Sequence, residues 1–176
     1  MRESKWEDKL GQLQGVPFWD RCYKNTSLIF FDNRVKWLQY QIVRGTLKTN
    51  AIISKFIPNI GPRCTFCDND SETLLHLFWN CPIVYSFLRE ISEQAHRANI
   101  LYVVEDNVKK FLFCNGNTNV GLNFIFKLYL KYYIWITRCK KNILNVDNFF
   151  EWYNKEVNIL KLAYPDTILS QLSRIN

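Results

Sequence analysis

The sequence lacks an apolar leader. Its first ten residues, MRESKWEDKL, are polar and mixed in charge, with no hydrophobic h-region, which reads against a secretory signal. It also lacks an unbroken apolar run of membrane length. The most apolar stretch, 122–136, is interrupted by Lys127 and Lys131 and falls short of the roughly 20 residues a span needs, so it reads as the buried helix of a soluble protein. No Y-x-D-D, no acidic triad for paired magnesium ions, no nucleophile–base pairing and no glycine-rich phosphate loop can be traced, which argues against an enzyme. Internal repeats, low-complexity tracts and long linkers are absent as well. One cooperative domain is the expectation for 176 residues.

Acidic residues are missing from two long spans. Between Asp32 and Asp68 the only charges are Arg34, Lys36, Arg44, Lys48, Lys55 and Arg63. Between Asp106 and Asp147 they are Lys109, Lys110, Lys127, Lys131, Arg138, Lys140 and Lys141. The net charge of +7 is therefore segregated rather than spread, and segregated positive potential attracts polyanions through counterion release. A solvated basic surface with no ligand is the alternative.

What is present is core material: 48% of the residues are hydrophobic and 16% aromatic, which excludes disorder over most of the length. Val35, Leu38, Ile42 and Val43 recur at helical spacing behind the candidate N-caps Asp32 and Asn33, predicting a basic helix over 33–47 that Gly45 weakens or ends. Its opposite face carries Trp37, Gln41, Arg44 and Lys48. Thr49 or Asn50 is placed to cap a short helix over 51–56, stopped by Pro58. Pro82 suits the first turn of a helix with the stripe Val84, Phe87, Leu88 and Ile91, fading near Asn99. Residues 100–107 read as loop or strand fragment, 111–114 as a short apolar run, and CNGNTN as a turn. The longest helical pattern covers 121–141, with Lys127, Lys131, Arg138 and Lys141 on one stripe. Asn145 and Asp147 introduce a last helix through Tyr164. The fold class is mainly α: a compact bundle of six to seven helices with an inserted zinc-knuckle-like loop. Its parts are N-terminal helices over 1–58, the loop over 59–82 and a C-terminal helical part over 83–176.

Six cysteines without a secretory leader do not suggest a disulfide framework. Cys22, Cys114 and Cys139 lie in apolar surroundings and read as buried small hydrophobes, so a reducing compartment is expected. The other three belong to CTFCDNDSETLLHLFWNC, which spaces Cys64, Cys67, His76 and Cys81 as Cys-x2-Cys-x8-His-x4-Cys. A Cys-x2-Cys turn aims two thiolates at one point, and a His-x4-Cys pair on a short helix or turn closes a tetrahedron. Three thiolates and an imidazole suit Zn2+, and a four-ligand shell leaves no position for a substrate or activated water. The expected role is structural, with metal binding coupled to folding of the segment. Leu74, Leu75, Leu77, Phe78 and Trp79 would dock the loop on the helices. His96, the only other histidine, reads as a surface residue.

The order RVKWLQYQIVRGTLKTN, CTFC, ETLLHLFWNCPIVYSFL resembles the C-terminal zinc-binding segment that follows the reverse transcriptase in LINE-type non-LTR retrotransposon polyproteins. The later KLYLKYYIWITRCKKN resembles that family's long aromatic helix with a basic end. Departures fall at Lys48, where related sequences often have proline, and at Arg44 and Gly45, where they often have His-Arg.

The resemblance implies a non-catalytic module that grips template RNA, and DNA of the target, during target-primed reverse transcription, with the polymerase lying upstream in the same polyprotein. Lysines and arginines would meet phosphates while exposed aromatics stack on bases. The candidate contacts are Arg34, Lys36, Trp37, Arg44, Lys48, Lys55 and Arg63, followed by Lys127, Lys131, Arg138 and Lys141. No membrane and no small-molecule substrate is expected, and the location is intracellular, in cytoplasm and nucleus. The competing class is a zinc-stabilised helical scaffold that docks on the polymerase or on a host protein. A zinc nuclease is the weakest reading, because the four-ligand shell has no open position.

Overall fold

The structure, a computed structural model, describes residues 6, 16–29, 31–97, 108–114 and 122–163. Seven α-helices and one π-helical turn make up the regular structure of these residues: α1 (Val16–Ser27), α2 (Asn33–Val43), α3 (Asn50–Ile53), the π-turn (His76–Asn80), α4 (Pro82–Arg97), α5 (Val108–Phe113), α6 (Leu122–Cys139) and α7 (Val146–Ala163). The one β-type pairing among them is an isolated antiparallel bridge between Arg63 and Ser71. The mainly helical expectation holds. The readings of 100–107 and of the CNGNTN turn past Cys114 lie outside the described residues.

Local chemistry starts and stops these helices. Asp32 caps α2 by accepting from the N–H groups of Arg34 (2.8 Å) and Val35 (3.4 Å). The end of α2 is a Schellman motif: Gly45 lies at φ +61°, its N–H donates to Ile42 O, and the Thr46 N–H reaches Gln41 O. Gly45 thus ends the helix short of the 33–47 expected. Trp6 closes over this turn, donating its indole N–H to Val43 O at 3.2 Å, and a Cβ at position 45 would stand 3.3 Å from that ring nitrogen. Asn145 caps α7 through its side-chain oxygen and the Asn148 N–H.

The α3 helix is shorter than the 51–56 pattern suggests. The Thr49 hydroxyl makes no capping bond, and its role passes to Glu72, whose carboxylate accepts from the Asn50 N–H at 2.9 Å.

The core is one cluster fed by all three segments of the chain. Val35, Leu38, Ile42 and Val43 of α2, Leu77 and Phe78 of the π-turn, Val84 and Ile91 of α4, Phe113 of α5, and Tyr129 and Ile134 of α6 are all buried. Rings dominate two regions of it. Phe113 receives Trp6, Phe18 and Trp19 edge-on at centroid distances of 5.1–5.6 Å. Phe149 of α7 packs edge-on against Phe87, Phe126 and Tyr133. Such pairs add roughly 0.5–1.5 kcal/mol each beyond the area they bury. No helix among the described residues is long and apolar enough to cross a membrane.

α6 corrects one expectation sharply. Lys127 and Lys131, expected on a solvent stripe, are 8% and 1% exposed. A helix that is apolar almost all round buries whichever face meets its neighbours, and here α6 packs on α2 with Lys131 reaching the end of α5. The Lys131 ammonium donates to Gln39 Oε1, to the carbonyls of Phe111 and Leu112 (both 3.1 Å), and lies 3.1 Å from Cys114 Sγ. It collects the loose carbonyls at the end of α5, and its burial pulls its pKa below the usual lysine range. Cys22 and Cys114 are buried as expected, and burial beside Cys114 pushes the Cys22 thiol up to about 12. Cys139, expected buried, is exposed at the end of α6.

Candidate metal centre and basic surface

Cys64 and Cys67 sit on a tight turn held by its own backbone. The Cys64 carbonyl accepts from the Asp68 N–H at 2.9 Å, and Asp68 takes a left-handed φ of +55° that turns the chain back. The returning strand ties down with Cys64 N–H to Asp70 O (2.8 Å) and Glu72 N–H to Pro62 O (2.7 Å). Inside this turn the N–H groups of Phe66 and Cys67 bond the Cys64 sulfur.

His76 and Cys81 come from the π-turn. The Thr73 hydroxyl starts it by accepting from the His76 N–H at 3.0 Å. In an α-helix, at about 3.6 residues per turn, side chains five apart diverge by roughly 140° around the axis. The Cys81 N–H instead bonds His76 O at 2.8 Å, an i→i+5 bond whose wider turn brings the two ligands onto one side. Cys81 then occupies the cap position of α4, and its sulfur accepts from the N–H groups of Ile83 and Val84. It replaces the oxygen of an ordinary N-cap and stays available to a metal.

The four ligand atoms lie within 4.8 Å of one another. Cys64 Sγ and Cys81 Sγ are 3.8 Å apart, and Cys67 Sγ and His76 Nε2 are 3.3 Å apart. A tetrahedral zinc ion with bonds of about 2.3 Å to sulfur and about 2.0 Å to nitrogen has edges of roughly 3.8 and 3.5 Å, so the constellation fits it. The other ring nitrogen, His76 Nδ1, faces the Asp70 carboxylate at 3.8 Å, an orientation that leaves Nε2 for the metal. Cys64, His76 and Cys81 are buried, Cys67 is half-buried, and all four positions of the tetrahedron belong to the protein. This is a structural zinc site.

The apolar residues of the motif dock it as expected. Leu74, Leu77 and Phe78 are buried, Leu75 and Trp79 are half-buried, and the Trp79 ring lies 5.8 Å from Phe111 of α5. The site's tightest polar attachment was not anticipated. Glu72, fully buried, accepts from the N–H groups of Asn50 and Thr65 and from Arg138 Nε and Nη2 of α6. Burial alone would raise the Glu72 carboxyl, but the Arg138 guanidinium and the two N–H donors hold it below the usual carboxylate range. The available signal was its place in the Glu72–Cys81 block, which marks it as part of the motif without saying what it touches.

Arg138 is accordingly not an open phosphate contact: its side chain is 10% exposed and committed to Glu72 and Asn50. With Lys127 and Lys131 buried, only Lys141 of the second candidate set is exposed.

The first set is more accessible. Arg34 is exposed but engaged: its guanidinium bridges Asp32 and Glu156 at 2.8 Å each and lies over the Tyr132 ring. Arg63 is exposed and pairs with exposed Asp68 at 3.7 Å. Lys48 and Lys55 are exposed, and Lys36 and Arg44 are half-exposed. None of these four has a carboxylate partner among the described residues. Trp37 is 60% exposed and stacks on Tyr40 at 5.7 Å with the planes 22° apart.

A cysteine–histidine zinc module on a helical scaffold is thus the class that fold and site define. Residues 3–87 match the family model zf-RVT, described as zinc-binding in reverse transcriptase. That span takes in α1 to the first turns of α4 and all four ligands. No curated protein and no solved structure matches the chain.

Proposed function

We propose that this chain is a non-catalytic nucleic-acid-binding module of a LINE-type retrotransposon polyprotein, placed C-terminal to the reverse transcriptase. In this role it holds template RNA or target DNA during target-primed reverse transcription. The observation that carries the reading is the run Lys36, Arg44, Lys48 and Lys55. These accessible cations lead from α2 into the zinc loop with no carboxylate partner among the described residues, inside the span that matches the reverse-transcriptase zinc-binding family. Zinc, through Glu72 and Arg138, keeps the backbone that presents them in place. No base-reading element stands out, so backbone phosphates supply most of the affinity.

The test is binding of the zinc-loaded protein to a structured RNA, a single strand and a duplex DNA across a salt series. Four cations on phosphates give a log–log salt slope of about −2.8 on a single strand and about −3.6 on duplex DNA. Absence of binding at low salt would remove the reading.

One observation favours a second function, docking on the polymerase or a host protein. Phe56, Ile57 and Ile60, where the chain enters the zinc loop, are 80%, 48% and 36% exposed. Adjacent apolar side chains left in water mark interaction surfaces. Saturable binding to isolated polymerase that is lost on Phe56→Ser, with no affinity for nucleic acid, would establish it in place of the first.

A further inference from the structure

A groove of about 750 Å³ runs between α1 and α2, within the 300–1,000 Å³ or so typical of ligand pockets. Tyr23 lines it from α1, and Asn33, Lys36, Trp37 and Tyr40 line it from α2. The α2 residues fall at the three- and four-residue steps that form one helix stripe. Val35, Leu38, Ile42 and Val43 occupy the other face of α2 in the core, so the groove stripe is surplus to folding. Trp37 presents most of its ring to solvent, stacks on Tyr40, and the Arg44 guanidinium lies 5.4 Å from the Tyr40 ring centre. The result is a column of two rings and a cation along α2, with Lys36 on the same wall. None of the lining residues is acidic.

From this we infer that the α1–α2 groove takes an unpaired nucleobase of a single strand, stacked on Trp37, with its phosphates on Lys36 and Arg44. The inference rests on the nucleic-acid reading above and adds to it a strand preference and a subsite. Charge decides the occupant. An anionic strand is drawn to Lys36 and Arg44, and flat π faces suit every base. A duplex, whose bases are already stacked on one another, has no free face to offer Trp37.

The experiment uses the full zinc-loaded chain and oligonucleotides carrying one 2-aminopurine, as RNA and DNA single strands and as duplex. Expected is quenching of the 2-aminopurine fluorescence in the single strands and not in the duplex. Trp37→Leu should lower single-strand affinity by roughly 5- to 100-fold and abolish the quenching, with duplex affinity and melting temperature unchanged. Trp37→Phe, which keeps a ring, should restore most of both. If Trp37→Leu leaves single-strand affinity and quenching intact while salt-dependent binding persists, the groove assignment falls and the module reading stands. Loss of polymerase binding with unaltered nucleic-acid binding in that variant would assign the groove to a protein and overturn the inference. No binding of any nucleic acid at low salt removes both.

Discussion

Glu72 Oε1 and Arg138 Nη2 stand 2.6 Å apart across the join between the zinc loop and the last turn of α6, sixty-six residues away in sequence. The carboxylate is fully buried and the guanidinium nearly so. The same carboxylate caps α3 through the Asn50 N–H and braces the Cys-x2-Cys turn through the Thr65 N–H. One side chain therefore fixes the zinc loop relative to the helices on both sides of it.

Replacing Glu72 by glutamine leaves Arg138 buried without its counter-charge. Removing one partner of a buried pair costs about 3–5 kcal/mol. Urea unfolding of Glu72→Gln, with zinc bound, should show a loss of that order. A change under about 0.5 kcal/mol, the usual range for surface substitutions, would mean that the zinc loop is held by its apolar contacts alone.

Asp32 supplies an acid limb to stability. Burial would raise its carboxyl, but the bonds from the Arg34 side chain and from the Arg34 and Val35 N–H groups hold it below the usual range. A group whose pKa is lowered on folding contributes stability above its unfolded value of about 3.9 and loses it as pH falls through the folded value. Glu72 acts in the same sense. The gap in melting temperature between the native chain and Asp32→Asn should be widest near pH 7 and close between about pH 4 and pH 2. A gap independent of pH would show that the asparagine loses packing rather than charge.

Cys64→Ser and Cys81→Ser should each lose the zinc, but not with equal consequences. Serine at position 81 can still accept from the Ile83 and Val84 N–H groups and cap α4, whereas serine at position 64 keeps no such role at a helix end. Both variants should melt well below the native chain, and Cys64→Ser should lose more helix by circular dichroism. Full zinc content in either variant, measured by atomic emission, would overturn the ligand assignment.

The lysines separate into structural and accessible sets. Lys131→Met strands Gln39 Oε1 and the carbonyls of Phe111 and Leu112, at about 1–3 kcal/mol for each acceptor left unpaired. The folded fraction of that variant should keep its nucleic-acid affinity. The pair Lys48→Glu and Lys55→Glu should do the reverse, cutting affinity at low salt while leaving the melting temperature within a few degrees. Weakened binding by folded Lys131→Met would return α6 to the contact surface.

Much of this protein was legible along the chain. The ligand set, the capping of α2 by Asp32, the start of α4 at Pro82 and the capping of α7 by Asn145 are local facts. Each depends on residues within a few positions of one another, where spacing and hydrogen-bonding capacity suffice. The π-turn was less accessible, because His-x4-Cys is compatible with several turns and only the shared metal geometry selects the i→i+5 bond. The stripe on α6 misled for a definite reason. Periodicity shows which side chains share a helix face, but in a helix this rich in apolar residues it does not say whether that face meets solvent or α2.

The sequence by itself determined that this is a helical protein with a four-ligand zinc loop, since those properties follow from short-range pattern and ligand chemistry. Only the tertiary structure decided which charges are engaged by other groups of the protein. Arg34 is taken up by Glu156 of α7, Arg138 by Glu72 of the zinc loop, and Lys131 by the end of α5, while Lys36, Lys48 and Lys55 are left accessible. The physical reason is distance along the chain: a lysine or arginine reads the same in sequence whether its partner is water or a carboxylate a hundred residues away, and the two are told apart only once the helices have packed.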